Sequence, residues 1–340
     1  MRRWRSTAVA GLALVLGLAL APAVRAQTCA APKTAGVTAT FLGVSSILFD
    51  DGEVQILTDG YFSRPRPSKW PFNLETDPKR VDDVLRRAGI CRLKAVFVAH
   101  AHHDHVLDAP YIAKQTGALL VGSASVAAIA QGQARGLKPG QIAEIETGDS
   151  ITCGRFKITA IKTPHAHGVL PTGDVVPPVG RTPWLFAYEA GSNFTFLVQH
   201  ADTEPTLVIP SASPDINLPA RTTADTVFLG VGLLGNTSEP EARQYWHRTV
   251  VGTSARRVIP VHWDNLSGDL SEPMKFAPEP FDHVSKALAW IDNYRQGQEV
   301  RRLPAFGSLT LKPRATSGPA SLPAGGPLTC KITPRAAARL

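Results

Sequence analysis

Three short runs near the start of the chain, "VTATFLG" (37–43), "SSILFDD" (45–51) and "VQILTDG" (54–60), are rich in β-branched and apolar residues and are separated by Gly and Asp turn signals. They predict a meander of three strands. An irregular aromatic and proline-rich stretch, "YFSRPRPSKWPFNLE" (61–75), follows. A helix then opens with Asp77 as N-cap and Pro78 at its first position, buries Val81, Val84, Leu85 and Ala88, and stops at Gly89. "LKAVFVA" (93–99) is almost continuously apolar, the pattern of a strand buried on both faces. Asp108 is placed to cap a further helix, with Pro110 in its first turn and Gly117 at its end. Downstream come "RFKITAIKT" (155–163), "TPWLFAYEA" (182–190), a hairpin-like pair "FTFLVQH" (194–200) and "TLVIPSA" (206–212), and "DTVFLGVG" (225–232). Ser238 with Glu241 three residues on is a capping box, opening a helix that closes near Gly252. "RRVIPVHW" (256–263) reads as another buried strand and "FDHVSKALAWIDNYRQ" (281–296) as a last amphipathic helix. The order is neither all-β nor strictly alternating, which predicts an α+β fold.

The ends of the chain follow other rules. Residues 1–26 combine an arginine-rich start, an apolar run from Ala8 to Ala21 and the small-x-small pattern Val24-Arg25-Ala26, the form of a cleaved secretory signal peptide. The apolar run is short for a bilayer span, which needs about 20 residues, so the mature chain is expected to start near Gln27 without a transmembrane anchor, in the periplasm or secreted. Residues 27–312 form one domain, and 313–340 a Pro/Gly/Ala-rich C-terminal tail. Removing Arg2, Arg3, Arg5 and Arg25 takes the formal net charge from +8 to +4. The remaining basic residues make no stripe interleaved with aromatics, so a nucleic-acid partner is not expected and a small-molecule substrate is; the oligomeric state is left open. The 44% hydrophobic composition excludes a disordered chain.

Cys29, Cys91, Cys153 and Cys330 are an even number in a chain read as exported, and no C-x-x-C pair offers a metal site. Two disulfides are expected. Of the three possible pairings, Cys29–Cys330 and Cys91–Cys153 is preferred, the first joining the terminal segments and the second joining residues beside predicted strands.

The densest chemistry is "HAHHDH" (100–105), directly behind the buried strand. Residues two apart in an extended segment point the same way, so His100 and His102 can reach one ion together. A tight turn then carries Asp104 and His105 toward a second. Imidazole and carboxylate suit zinc, with iron or manganese as alternatives. His103 fills the variable position of the motif and is read as exposed or supporting, and His200, His247 and His283 as structural.

With "VIPVHWDN" (258–265) and "ITAIKTPHAHG" (158–168), this pattern resembles the metallo-β-lactamase superfamily over most of the mature chain. The resemblance implies a four-layer αβ/βα sandwich with the site at one edge between two sheets. It implies His100, His102 and His165 as ligands of one metal, with His167 the competitor of His165, and Asp104, His105 and His262 as ligands of another. Asp59, ending "VQILTD", matches a supporting residue near the site. Many members carry a bridging aspartate after the hairpin, where this chain has Ser211-Ala212-Ser213. Ser211 and Ser213 are therefore supporting residues, and the second of one or two zinc ions is held with one carboxylate fewer.

The function expected on this basis is an exported zinc-dependent hydrolase that uses a metal-activated hydroxide, oriented by the catalytic Asp104, on an ester, amide or lactam, or phosphodiester bond. A β-lactamase proper and a zinc-binding protein without turnover are the alternatives. A redox di-iron centre calls for the bridging carboxylate and an electron-transfer domain, neither of which is visible. The stretch from Tyr61 to Trp70 is read either as a binder of an acyl chain or anion or as a surface loop.

Overall fold

The computed structural model describes residues 36–72, 74–133, 137–168, 171–177, 179, 184–315 and 329–334. The proposed leader, Cys29 and most of the tail lie outside these residues. The first half contains β1 (Thr38–Phe41), β2 (Ile47–Asp50), β3 (Gln55–Thr58), α1 (Pro78–Arg87), β4 (Leu93–Phe97), α2 (His103–Val106), α3 (Ala109–Thr116), β5 (Leu119–Gly122), α4 (Ala124–Gln133) and β6 (Ile142–Glu144). The second contains β7 (Ser150–Cys153), β8 (Phe156–Lys162), β9 (Phe194–His200), β10 (Thr203–Ile209), β11 (Thr226–Gly230), α5 (Glu239–Trp246), β12 (Arg257–Val261), α6 (Val284–Tyr294), β13 (Glu299–Val300), β14 (Ser308–Thr310) and β15 (Cys330–Thr333).

The strands make two sheets, in the orders β14-β1-β2-β3-β4-β5-β6 and β13-β12-β11-β10-β9-β8-β7-β15. β1 to β3 form the expected antiparallel meander. β3 to β6 and β10 to β13 run parallel, each within its own sheet. β11, in the parallel part of the second sheet, is buried along its whole length, whereas β8, in the antiparallel part, alternates buried with partly exposed residues. Side chains from both inner faces interdigitate: Phe49 meets Phe228 and Phe97 meets Phe196 edge to face, with ring centroids 6.0 and 5.8 Å apart. A second cluster joins the outer face of the first sheet to Val81, Val84 and Leu85 of α1 and to Ile112 and Ile129 of α3 and α4, while Ala242 and Trp246 of α5 and Ala287 and Ile291 of α6 cover the second sheet. This is the four-layer αβ/βα sandwich of the α+β class.

Local signals held where they concern caps. The Asp77 carboxylate accepts from the Lys79 and Arg80 amides, and Glu241 accepts from the Ser238 amide at 2.8 Å. Asp108 behaves differently. It stands at the start of α3 but makes no side-chain cap, because its carboxylate is taken by the Phe62 and Ser63 amides, each at 2.7 Å, and by the Ser63 hydroxyl. It fastens the irregular stretch after β3 to the helix behind the site.

The disulfide pairing differs from expectation. Cys153 is bonded to Cys330, which excludes both Cys29–Cys330 and Cys91–Cys153. The cause is a strand pairing that proximity to predicted strands did not reveal. β15 runs antiparallel to β7 with Cys330 directly opposite Cys153, Cα atoms 4.2 Å apart. Cys91 is also disulfide-bonded, and no described cysteine is free. Part of the tail thus becomes an edge strand of the second sheet. Among the described residues no helix is long and apolar enough to cross a membrane.

Candidate metal centre

β4 ends at Phe97, and the next residues run extended into the mouth of the cleft, carrying His100 and His102 on one side. His102 then caps the single turn α2, with the His105 and Val106 amides donating to its carbonyl at 3.0 Å. That turn swings Asp104 and His105 to the opposite side. The geometry divides the histidines and aspartate of the motif into two groups.

In the first group, His100 Nε2 lies 3.1 Å from His102 Nδ1 and 3.0 Å from His165 Nε2. Two of the other ring nitrogens are occupied, since His102 Nε2 donates to the Pro171 carbonyl at 2.9 Å and His165 Nδ1 faces the Ala166 carbonyl at 3.0 Å, whereas His100 Nδ1 is buried without a hydrogen-bond partner. These contacts set which nitrogen of the His102 and His165 rings points inward. Burial, reinforced by His105, His165 and His102, holds His100 well below the ordinary imidazole value, and His165 is pushed down to about 3 by burial and the His102 ring. Three imidazole nitrogens thus converge on a common centre.

In the second group, His262 Nε2 lies 3.1 Å and His105 Nε2 3.5 Å from Asp104 Oδ2. His105 is turned by Asp59, whose Oδ2 accepts from its Nδ1 at 2.9 Å and from Ser45 Oγ at 2.6 Å, and whose Oδ1 accepts from the Ala99 amide. Burial pulls the Asp104 carboxyl up, but His105, His262 and His103 together hold it well below the usual range. Burial pulls His262 down, yet the Asp104 hydrogen bond and charge raise it overall. In each group the ligand-type atoms all lie within 4.8 Å of one another. The structure therefore brings together His100, His102 and His165, and separately Asp104, His105 and His262. His167 does not join them; it is exposed and pairs with Asp215 at 2.9 Å.

Strained backbone positions these side chains. Val44, Asp59, Arg64, Leu233 and His262 all have positive φ between 44° and 62°, although none is glycine. The His262 amide donates to the Val44 carbonyl at 2.6 Å, and the Val44 amide donates to Asp264 Oδ1 at 2.9 Å. Arg64 closes the assembly through a fully buried ion pair to Asp264 at 2.6 Å and a hydrogen bond to the Asn265 carbonyl. Gly43 is required beside it, since a Cβ there would lie 2.0 Å from the Arg64 guanidinium. Arg64 thus serves the fold, not an anion.

On the other side, Asn193 Nδ2 reaches the Thr163 and Pro164 carbonyls, each at 3.2 Å, and the Ala166 amide donates to Ser211 Oγ at 2.9 Å. These bonds fix the loop bearing His165. Of the three residues at the expected bridge, Ser211 lines the cleft, Ala212 packs into the core, and Ser213 is buried with its hydroxyl unpartnered.

The cleft over both groups has a volume of about 550 Å³. Its walls include Trp70, Leu185, Leu233, Leu266 and Phe281, and no lysine or arginine is among its described lining residues. His103 is buried against Trp70, Tyr61 and Tyr188, and burial pushes it down to about 4. Within the stretch from Tyr61 to Trp70, Trp70 and Pro67 reach the cleft while Tyr61 and Arg64 are buried. Ser45, Asn193, Asp264 and Asp282 escaped the sequence reading because nothing local marks them; only a positive-φ turn after β1 and the "HWDN" continuation hint at two.

Residues 55–263 match the family described as beta-lactamase superfamily domain. A UPF0173 metal-dependent hydrolase of Methanopyrus kandleri is 30% identical over 156 residues, covering 45% of this chain and 58% of that protein. One from Sinorhizobium medicae is 29% identical over 169 residues, covering 49% and 59%. The aligned part thus spans less than two thirds of these relatives. Among solved structures, an isothiocyanate hydrolase from Delia radicum gut bacteria superposes with a TM-score of 0.50 at 12% identity, covering 81% of this chain and 99% of that one. It shares the fold.

Proposed function

Because the chain belongs to the beta-lactamase superfamily, with a match over residues 55–263, we propose that it is an exported metal-dependent hydrolase that cleaves an ester or amide bond, lactams included, in a small molecule. The observation that carries this reading is the pair of three-residue donor sets sharing the floor of one apolar cleft. The UPF0173 relatives bear the name metal-dependent hydrolase, which agrees with it.

His100, His102 and His165 would hold one zinc ion, and Asp104, His105 and His262 a second. Imidazoles oriented by a carbonyl or carboxylate on the far nitrogen, as His102 and His105 are, are the donor chemistry such ions require. When bound, the ions supply a water acidic enough to lose its proton near neutral pH and polarise the scissile carbonyl. Asp104, buried yet held ionised by its histidine neighbours, would accept a hydrogen bond from the attacking water and orient it. Trp70, Leu185, Leu266 and Phe281 exclude bulk water and hold the apolar part of the substrate. The lack of a cation among the described lining residues favours a neutral acyl group over a phosphodiester. The Cys153–Cys330 disulfide supports an oxidising destination.

Metal analysis followed by a panel of chromogenic esters, lactams and phosphodiesters tests the reading. Up to two zinc ions per chain with ester or lactam turnover is the expected result. A metal-free protein, or a metal-loaded one that turns over phosphodiesters alone, would overturn it.

A further inference from the structure

One wall of the cleft carries a carboxylate that neither donor set uses. Asp282 stands between Phe281 and His283 ahead of α6, lines the cleft, and is only 6% exposed. Its Oδ2 accepts from the Leu233 amide at 3.0 Å, while its Oδ1 is buried without a hydrogen-bond partner. A buried carboxylate oxygen without a partner is costly. The other carboxylates near the cleft are satisfied: Asp264 by Arg64, Asp104 by His262 and His105, and Asp59 by His105 and Ser45. The nearby Glu279 is paired with His283. Burial pushes Asp282 above the usual carboxylate value, against the opposing pull of the Leu233 amide, His262 and His283.

The walls around it are apolar. Leu233, Ala277, Pro278 and Phe281 line the same side, and Phe281 is 75% exposed, so its ring is open to a ligand. A protonated amine carried on an apolar body satisfies both features at once. The ammonium donates to the free oxygen, while the body covers the Phe281 face.

Resting on the hydrolase reading above, we propose that the substrate carries a protonated amine on its apolar part, which docks on Asp282 beside Phe281. Asp282 is on this view a specificity residue of the cleft. It discriminates against substrates that place an anion at the same position.

Binding of benzylammonium to the metal-loaded protein, measured by calorimetry beside neutral benzyl alcohol, tests this without requiring turnover. Asp282→Asn keeps an acceptor for the Leu233 amide, and should weaken benzylammonium by roughly ten- to hundredfold, the range of a hydrogen bond to a charged group, with benzyl alcohol unchanged. Phe281→Lys changes an exposed residue and puts a competing cation beside the carboxylate; both ligands lose the apolar face, and benzylammonium is expected to lose roughly tenfold more than benzyl alcohol, so a poorly folded Asp282 variant does not decide the matter. Equal affinity for the amine and the alcohol in the unmodified protein, or amine binding that survives Phe281→Lys, would overturn the proposal. A matched ester pair, one with the ammonium and one with a neutral isostere, separates the two readings. Equal kcat/KM for both esters sinks the amine subsite and leaves the hydrolase intact, whereas selective amine binding with neither ester cleaved sinks the ester and amide reading and leaves the subsite.

Discussion

His100, His102 and His165 meet as three uncharged rings, whereas Asp104, His105 and His262 meet around a carboxylate that already has partners. In the first group ring nitrogens converge at 3.0 to 3.1 Å, and burial opposes a second proton on any of the rings. A single ring proton on His100 Nε2 can serve one neighbour at a time, whereas a cation satisfies all three nitrogens together. In the second group a proton shared between Asp104 and His262 does the same work, so an arriving ion must displace it. The comparison teaches that two sites a few ångströms apart can differ in affinity through the satisfaction of their empty states, before any difference in ligand number is counted.

The largest effect that would break this contrast is on turnover. On the function proposed above, Asp104→Asn removes a ligand of the second group and the acceptor for the attacking water. It is expected to lower kcat by about 10²- to 10⁴-fold, the range of a lost general base, while one ion per chain remains on the histidine trio. Rate measurements beside metal analysis check both halves. Full activity, or loss of both ions together, would show that the two groups act as one site.

Next comes the support beneath His262. Arg64→Met leaves Asp264 buried without its cation, and a broken buried pair costs about 3–5 kcal/mol. Denaturant unfolding should register that loss of stability. Metal content should fall at the second group first, because Asp264 holds Val44 and Val44 holds the His262 backbone. A variant as stable as the parent would show that the ion pair is not needed to fix that turn.

The first group is sharpened by comparing neighbours on one loop. His165→Ala should reduce affinity for the first ion by more than the roughly 10- to 100-fold expected from losing a supporting residue. His167→Ala should leave metal content unchanged, since it breaks only an exposed pair worth about 0–1 kcal/mol. Competition with a graded series of chelators reads both. Equal losses would mean that the loop, not the ring, matters.

These same residues show what a sequence can and cannot disclose. His100 to His105 were legible because strand period and turn lie within six residues, and the meander, the buried β4 and the caps of α1 and α5 follow from patterns of similar length. His165 and His262 were legible only through the resemblance to a family, since each is brought in by a strand far along the chain. The support was mostly invisible. Arg64 looks like a surface cation until Asp264, 200 residues away, folds onto it. Cys153–Cys330 depends on a strand pairing across 177 residues, and Asp108 gave up its cap for the loop at Phe62. Tertiary partners claimed polar groups to which local rules assign local roles.

The smallest effect concerns the bridge that this chain lacks. Among Ser211-Ala212-Ser213, the side chain facing the cleft is that of Ser211, which also receives the Ala166 amide from the His165 loop. Ala212 points into the core. Ser211→Asp keeps an acceptor for that amide and adds a negative charge to the cleft that would hold both cations. In the unmodified protein the second ion is expected to leave first as chelator strength rises. The variant should narrow that gap by tightening the second site about tenfold, or about 1.4 kcal/mol. Ala212→Asp is the control: it would bury a carboxylate in apolar surroundings and lower the melting temperature without improving metal retention. Zinc per chain at each chelator step, with thermal unfolding in parallel, gives the answer. If Ala212→Asp tightens the second site while Ser211→Asp does not, the bridge position lies one residue further along the chain. If the unmodified protein releases two equivalent ions together, the difference between the satisfied and unsatisfied groups does not set their affinities.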